Sequence, residues 1–332
     1  MATEAKRPAA DGAPPTLASR DEIREARYHR NGFIALFALL VVAPAVLYPL
    51  FLMQALCFAL FACAFNLLLG FGGLLSFGHA MFLGMAGYLS AYAAKVWGFP
   101  PEAAILTGTA TATLLGVVAG LIAIRRQGIY FAMITLALAQ MVYFFCLQAP
   151  FTGGEDGIQT GPRGKLLGLL PLDGLSMYYT VLVIFAFGFF LIHRIVHSPF
   201  GQVLKAIRDN EPRAVSLGYR TERYKLAAFI MSAALSGLAG ATKAIVFQQA
   251  SLTDVHWTMS GEVVLMTLVG GLGTVFGPVV GAFVIVGMES YLSQLGAWFT
   301  IAEGVIFVAC VLLFRRGIIG ELEAWLRRRR KH

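Results

Sequence analysis

The chain has 332 residues, of which 58% are hydrophobic and 13% are charged, and its formal net charge is +8. A water-soluble domain carries about 25% charged residues, so this composition excludes a soluble globular protein. The Lys and Arg residues lie in short segments between long apolar stretches, so the positive charge indicates membrane topology and argues against nucleic-acid binding.

The chain begins with a polar segment that is rich in Ala, Pro and charged side chains, and we predict a disordered cytoplasmic tail over residues 1–31. The apolar stretches that follow are each near the ~20 residues that cross ~30 Å of hydrocarbon. They predict an all-α fold over residues 32–316, a polytopic transmembrane helical bundle with about 10 crossings. The basic segments place both the N-terminus and a basic tail, residues 317–332, in the cytoplasm.

The predicted crossings have recognisable limits along the chain. In order they are Phe33–Leu52, Gln54–Leu75, Phe77–Lys95, Ala103–Ile124, Ile129–Gln148, Met177–Ile195, Tyr224–Phe247 and three short crossings within Gly261–Phe314. This order leaves the basic loops on the cytoplasmic side and the acidic loops outside. The second and third crossings join at a Gly-rich break, and Leu67–His79 is either this break or a re-entrant segment.

The segment Asn66–Ala80 carries polar groups at membrane depth, among them Asn66, Ser76 and His79. Such groups are costly unless they are partnered or face water. One interpretation is a broken-helix lining of the solute path, and the other is close helix packing by small residues. A weakly similar sequence recurs near Gly270 and Gly271, which favours an internal repeat with a second broken helix.

The cytoplasmic segment Gly201–Gly218 has a patterned helix that a simple connection would not need. Its apolar residues Leu204 and Ile207 share one face, and Lys205 and Arg208 point elsewhere. We predict a docking element for a soluble partner, with an apolar ridge that enters a groove. The alternative is an amphipathic helix on the anionic lipid surface.

The outer loop has an acidic and Gly-rich motif, Thr152–Gly157. It receives a binding protein, lines the outer mouth or is an ordinary solvated turn, and the residues do not decide among these. Lys243, Glu289 and Glu303 fall near predicted outer ends of crossings, where snorkelling of the charged group explains them.

Motifs for catalysis and metal binding are missing from the sequence. Gly164-Lys165 lacks the upstream Gly and the following Ser or Thr of a P-loop. The four cysteines lie in apolar runs without a CxxC or Cys/His cluster: Cys57, Cys63, Cys146 and Cys310. We therefore predict a chain that is not an enzyme and binds no metal or cofactor.

The order of several motifs resembles the branched-chain amino-acid ABC transporter permease family, whose members work as heterodimers of two related subunits. The motifs are Asn66–Ala80, Arg126–Ala137, Thr152–Gly157, Ser198–Tyr219 and Gly270–Pro278. Each motif alone is weak, but their order is specific and covers nearly the whole chain after the tail. The chain departs from the family at Arg315–Arg316, where the family often has Pro, which leaves the end of the last helix open.

The resemblance implies a role for three groups of residues. Residues 198–223 would be the coupling loop for the ATPase, through Gly201, Leu204, Ile207, Arg208, Asn210, Glu211, Ala214, Leu217 and Gly218. The translocation-path candidates are Asn66, Ser76, His79, Thr135, Gly270 and Gly271. The outer loop would dock the binding protein through Thr152, Gly153, Gly154 and Asp156.

The resemblance also implies partners and a location. The chain would form the path for branched-chain amino acids in a bacterial inner membrane, with a second homologous permease, two ABC ATPase subunits that use ATP and a periplasmic solute-binding protein. The open alternatives are urea, amide or aromatic-acid uptake within the same family. A secondary transporter or channel is the alternative of another class, but it leaves the patterned cytoplasmic loop unexplained.

Overall fold

The computed structural model describes residues 32–161, 163–166, 170–172, 174–292 and 317–321, together with residues 301, 304, 305 and 308. The predicted tail at residues 1–31 lies outside the described residues, as does most of the third short crossing before Phe314. The described chain is almost entirely helical, which confirms the all-α polytopic membrane fold. The predicted number of crossings and the orientation of the termini stay predictions.

The chain divides into two compact units, Met1–Leu47 and Tyr48–His332. In the first unit, helix α1 covers Gly32–Ala45 and tightens to a 3-10 turn at its end. The predicted crossing Phe33–Leu52 is therefore wrong at its C-terminal end. Pro49 does not close this helix but begins the next one, because proline fits the first turn, where no N–H is needed.

The second unit contains the remaining described helices. They are α2 (Pro49–Asn66), α3 (His79–Lys95), α4 (Pro101–Ala123), α5 (Ile129–Gln148), α6 (Leu175–His197), α7 (Pro199–Asp209), α8 (Glu211–Ser216), α9 (Thr221–Phe247), α10 (Trp257–Gly270) and α11 (Gly277–Leu292). Helix α2 continues as a π-helical turn, Leu67–Phe71. Within the described residues, five helices are long and apolar enough to cross a membrane: α2 with its π turn, α4, α5, α6 and α9.

Helices α2 and α9 form the centre of the second unit. In the most apolar window of each, 89% of α2 with its π turn and 72% of α9 is buried. Only 33% of α4 and 28% of α5 is buried. Because their other faces are apolar and exposed, α4 and α5 present these faces to lipid or to a partner helix.

Small residues allow α9 to approach α3 and α4 closely. A Cβ atom on Gly240 would overlap the carbonyl oxygen of Leu83 in α3, and one on Gly237 would overlap the methyl group of Ala112 in α4. Membrane helices associate through such close contacts of small residues because lipid is as apolar as their side chains, so the hydrophobic effect does not drive the helices together. The packing fixes α3 beside α9, and this arrangement positions His79.

Four two-residue strands complete the described part of the chain. Strand β1 (Ile158–Gln159) pairs antiparallel with β4 (Gln249–Ala250), with Ile158 opposite Ala250. Strand β2 (Lys165–Leu166) pairs with β3 (Leu170–Pro171). The β1–β4 pair joins the loop after α5 to the loop after α9, at the end of α9 that lies away from α7 and α8.

Candidate functional site

The predicted coupling segment forms two short helices, α7 and α8, which meet at Asn210. Ser198 caps α7 by accepting a hydrogen bond from the Gly201 N–H at 3.4 Å. Asn210 ends α7 and caps α8 by accepting from the Arg213 N–H at 3.1 Å. The segment closes at Gly218, which is exposed and has a φ of 87°. The break falls at Asn210, and the proline at position 212 lies inside the first turn of α8.

The apolar residues of this segment do not form an exposed ridge. Leu204 and Ile207 are buried within the chain itself, with exposures of 0% and 2%, and so is Ala214. The prediction of a ridge that enters a partner's groove is therefore wrong for these residues, because α7 lies against its own bundle. The exposed apolar side chains are Val215 and Leu217, with exposures of 54% and 70%.

Helix α7 contacts the end of α2 through adjacent side chains. The Arg208 guanidinium donates a hydrogen bond from Nη1 to the Gly70 carbonyl at 2.5 Å and pairs with Asp209 through Nη2 at 2.9 Å. Lys205 places its ammonium group 5.5 Å from the centre of the Phe71 ring. Partial burial, and then the Arg208 charge, lower the pKa of Lys205. The two cations of α7 thus lie on the last turn of α2.

An ion pair connects α8 with α9. Lys225 Nζ lies 2.6 Å from Glu211 Oε2, and the two side chains are only 6% and 22% exposed. Both helices of the coupling segment are therefore attached to the bundle by charged contacts, α7 to α2 and α8 to α9. A displacement of the segment would act on both central helices.

Asn66 joins the end of α2 to the turn 271–276 between α10 and α11. Its Nδ2 donates to the Thr274 carbonyl at 2.9 Å, and its Oδ1 accepts from the Gly273 N–H at 3.0 Å. The side chain is buried. The prediction that Asn66 lines a solute path stays a prediction; in this structure both amide atoms bond to backbone groups between helices.

His79 lies at the first position of α3 and contacts two other helices. Ser232 of α9 donates its one hydroxyl proton to the Ala64 carbonyl at 2.6 Å, and His79 Nε2 lies 2.8 Å from the same hydroxyl oxygen. His79 Nε2 is therefore the donor, and Nδ1 is an unprotonated acceptor. Among the described residues, this buried Nδ1 has no hydrogen-bond partner. The ring is surrounded by aromatic side chains: Phe65, Phe82 and Phe229.

Ser76 and Thr135 both contact Gly78, the residue before His79, and both are buried. Ser76 Oγ accepts from the Gly78 N–H at 3.2 Å, and Thr135 donates to the Ala132 carbonyl at 2.9 Å. A Cβ on Gly78 would lie 2.6 Å from the Thr135 carbonyl oxygen. The structure thus places these path candidates in a tight contact between the broken segment and α5.

Gly270 and Gly271 lie at the close crossing of α10 and α11, and both are buried. A Cβ on Gly270 would overlap the Gly277 carbonyl, and one on Gly281 would overlap the Met266 carbonyl. Gly270 therefore has no room for a side chain, and Gly271, with a φ of 123°, adopts a backbone conformation that favours glycine. The six path candidates fall into two groups, Asn66 with this turn and the other three around His79.

The outer-loop motif is a folded turn. Thr152 is buried, and its single hydroxyl proton is shared between the carbonyl oxygens of Cys146 and Ala149, at 2.5 and 2.6 Å, so it closes the end of α5. Gly153 and Gly154 have positive φ angles of 75° and 62°. Thr152 is therefore not available to a partner, whereas Asp156 is exposed.

Lys243 of α9 forms an ion pair with Asp254 and lies 4.9 Å from the centre of the Phe58 ring. The side chains of the pair are 16% and 14% exposed. The snorkelling interpretation of Lys243 is therefore wrong, because its charge is directed into a protein contact. The pair holds the connection between α9 and α10 against α9.

Sequence reasoning missed several partners of the polar residues. Ser232 and Ser260 are buried in apolar helices, and Ser260 Oγ accepts from the Ala80 N–H at 2.9 Å. Their only signal is a hydroxyl in an apolar stretch, which most membrane helices share. The carbonyl of Gly70 and the N–H of Gly273 carry no side-chain signal at all.

Comparison with known proteins finds permease components of import systems. A family model described as the permease component of the branched-chain amino acid transport system matches residues 48–314. The high-affinity branched-chain amino acid permease LivM of Escherichia coli K12 is 26% identical over 283 residues, which cover 76% of this chain and 65% of the relative. The ribose import permease RbsC of Bacillus subtilis is 28% identical over 54% of this chain and 58% of the relative. No solved structure matches the chain.

Proposed function

Because the chain belongs to the family of branched-chain amino acid permease components, we propose that it is the membrane subunit of an ABC importer for branched-chain amino acids. The observation that supports this most is the family match, which covers α2 to α11. The chain covers 65% of the length of the matched LivM relatives, which is less than two thirds. The role as an ABC importer permease and the amino acid as its solute are therefore both proposed, and the amino acid is the more specific proposal.

The solute rests on the LivM relatives alone. Other relatives are named for ribose import and for import of autoinducer 2, so the same architecture serves different small solutes. Urea, amides and aromatic acids are the alternatives within the family. The binding protein that delivers the solute would set much of this choice.

The energy for transport would come from ATPase subunits on the cytoplasmic side. We expect the complex to contain this chain, a second homologous permease, two ATPase subunits and a periplasmic solute-binding protein in a bacterial inner membrane. We assign to the ATPase the exposed surface of α8 and of the turn that follows it, with Arg213, Val215, Leu217 and Tyr219. ATP would bind only to the partner subunits.

The test is reconstitution of the complex that co-purifies with the full-length chain. The proposal expects an ABC ATPase and a second permease in the purified complex. In proteoliposomes with the binding protein, it expects leucine uptake that needs ATP and is inhibited by unlabelled isoleucine and valine. Uptake that is inhibited by urea or ribose instead would reassign the solute. Uptake by this chain alone, without ATP, would favour a secondary transporter or channel.

A further inference from the structure

We propose that Asn66 is a positioning residue that transmits movement of α7 to the turn 271–276 between α10 and α11. The transmitting contacts form a cluster that we call the coupling node: Asn66, Gly70, Arg208, Gly273 and Thr274. This inference rests on the proposed function, because it needs an ATPase that moves α7. It assigns Asn66 to the mechanical connection and not to solute contact.

The first contact of the coupling node joins α7 to the π-helical end of α2. The Leu74 N–H bonds to the Leu68 carbonyl at 3.1 Å, which leaves the Gly70 carbonyl without the usual partner four residues later. Arg208 supplies that partner at 2.5 Å. A cation at the C-terminal end of a helix is favoured by the helix dipole, and a charged hydrogen bond is about twice as strong as a neutral one.

The same contact is sterically tight. A Cβ on Gly73 would lie 2.7 Å from Arg208 Cγ, and one on Gly72 would lie 3.7 Å from Leu204 Cδ1. The end of α2 therefore contacts two side chains of α7, with no room for a side chain on Gly73 and an ordinary van der Waals distance at Gly72. A close-packed contact of this kind passes a displacement on, because neither side can yield without overlap.

The second contact joins α2 to the turn 271–276. Asn66 lies four residues before Gly70, on the same side of the helix. Its amide donates to the Thr274 carbonyl and accepts from the Gly273 N–H, so two bonds fix both the position and the orientation of the turn. A Cβ on Gly70 would lie 2.7 Å from the Gly273 nitrogen, so α2 and the turn are also in direct backbone contact.

The coupling node gives α7 a route to α10 and α11 that the chain order does not provide. Along the chain, α7 follows α6, and α8 leads into α9. Helix α10 begins only after the far end of α9. The coupling node instead connects α7 through Gly70 and Asn66 to Gly273 and Thr274. A movement of α7 would then reach the α10–α11 turn at the same end of the bundle.

A role in solute contact does not fit the surroundings of Asn66. Its side chain is 2% exposed, and both amide atoms bond to backbone groups. Each amide atom keeps one further hydrogen-bonding position, but a solute could reach it only if the packing around this buried side chain opened. A positioning residue needs the bonds intact throughout the cycle.

The test compares Asn66→Ala with Ser90→Ala in the complete reconstituted complex. Both variants remove a buried polar side chain from the bundle, but Ser90 bonds only to Ala241 at 3.4 Å, away from the coupling node. We expect Asn66→Ala to hydrolyse ATP at near the wild-type rate and to move about tenfold less solute per ATP. Ser90→Ala should keep the wild-type ratio. The KM for solute should change in neither variant.

A conservative variant and a distance measurement keep the test independent of folding defects. Asn66→Asp keeps the acceptor for the Gly273 N–H, and a buried carboxyl in its neutral form also donates an O–H to the Thr274 carbonyl, so its solute-to-ATP ratio should stay near wild type. Spin labels are placed at the exposed positions Ala206 and Leu272. In wild type, the distance between the two labels should be the same in the nucleotide-free and the ATP-trapped complex. In Asn66→Ala, this distance should differ between the two states.

Two outcomes would overturn the inference and leave the proposed function intact. One is a wild-type solute-to-ATP ratio in Asn66→Ala with an intact complex. The other is a label distance that changes with nucleotide in the functional wild-type complex. A raised KM or altered solute preference in Asn66→Ala at a normal ratio would assign Asn66 to the solute path instead. Absence of an ATPase from the wild-type complex would refute the proposed function itself.

Discussion

Removal of one partner of the Lys243–Asp254 ion pair should destabilise the protein more than removal of both. The pair is largely buried, and Lys243 also lies over the Phe58 ring. In Asp254→Asn, the Lys243 charge would lose its counter-ion and keep only neutral partners, the Asn amide oxygen and the Phe58 ring. Breaking a buried pair costs about 3–5 kcal/mol, because the remaining charge is uncompensated.

The magnitude follows from what each variant leaves behind. In Asp254→Asn the ring contact persists and contributes about 1 kcal/mol, so we expect a loss near 3 kcal/mol. Lys243→Met removes the ring contact as well and isolates Asp254, so we expect about 4 kcal/mol. The double variant places a neutral pair of similar volume in the site, and we expect a change within about 1 kcal/mol of wild type.

The assay is thermal or denaturant unfolding of the purified chain in detergent, run as a double-mutant cycle. The cycle isolates the interaction between the two residues because each single variant removes it. A double variant that loses the sum of the two single losses would refute the reasoning. It would mean that the side chains act independently, as two snorkelling or solvated charges would.

Four further variants test the packing and the docking surface. Gly240→Ala should destabilise the bundle by several kcal/mol, because its methyl group would overlap the Leu83 carbonyl. The control Gly261→Ala, with open space around it, should change stability by less than about 1 kcal/mol. Equal losses of stability in detergent unfolding would contradict this. Leu217→Asp should leave stability unchanged and weaken capture of the ATPase, since Leu217 is exposed. Leu204→Asp should instead unfold α7 from the bundle, and the reverse pattern would place the docking surface on the buried face.

The sequence predicts the peripheral helices well and the central break less well. The limits predicted for α5 match the structure, because Gly128 precedes it and Pro150 follows it closely. The π turn Leu67–Phe71 could not be predicted, because apolar residues fit α and π geometry equally well. Hydropathy therefore locates the membrane segment but not the point at which its hydrogen-bond ladder changes.

The site shows the same limit at the level of single residues. Asn66 and Arg208 stand out in the sequence because each is polar beside an apolar pattern. Their partners are backbone atoms of Gly70 and Gly273, and a glycine in a membrane segment has many other uses. The pattern shows that Leu204 lies on an apolar face, but an amphipathic helix does not reveal whether that face meets its own chain or another, so the predicted partner was wrong.

The two helix breaks that share a faint sequence echo turn out to be joined in space. At the first break the chain turns at Gly73, and at the second it turns at Gly271, with φ angles of 69° and 123°. Backbone groups released by a break inside a membrane bundle need new partners. Here side chains from other helices supply them, since Arg208 and Asn66 bond to the two breaks. Each break is therefore a point where two helices are held together by a side chain. Replacing such a side chain, for example that of Asn66, removes a mechanical connection together with its hydrogen bonds.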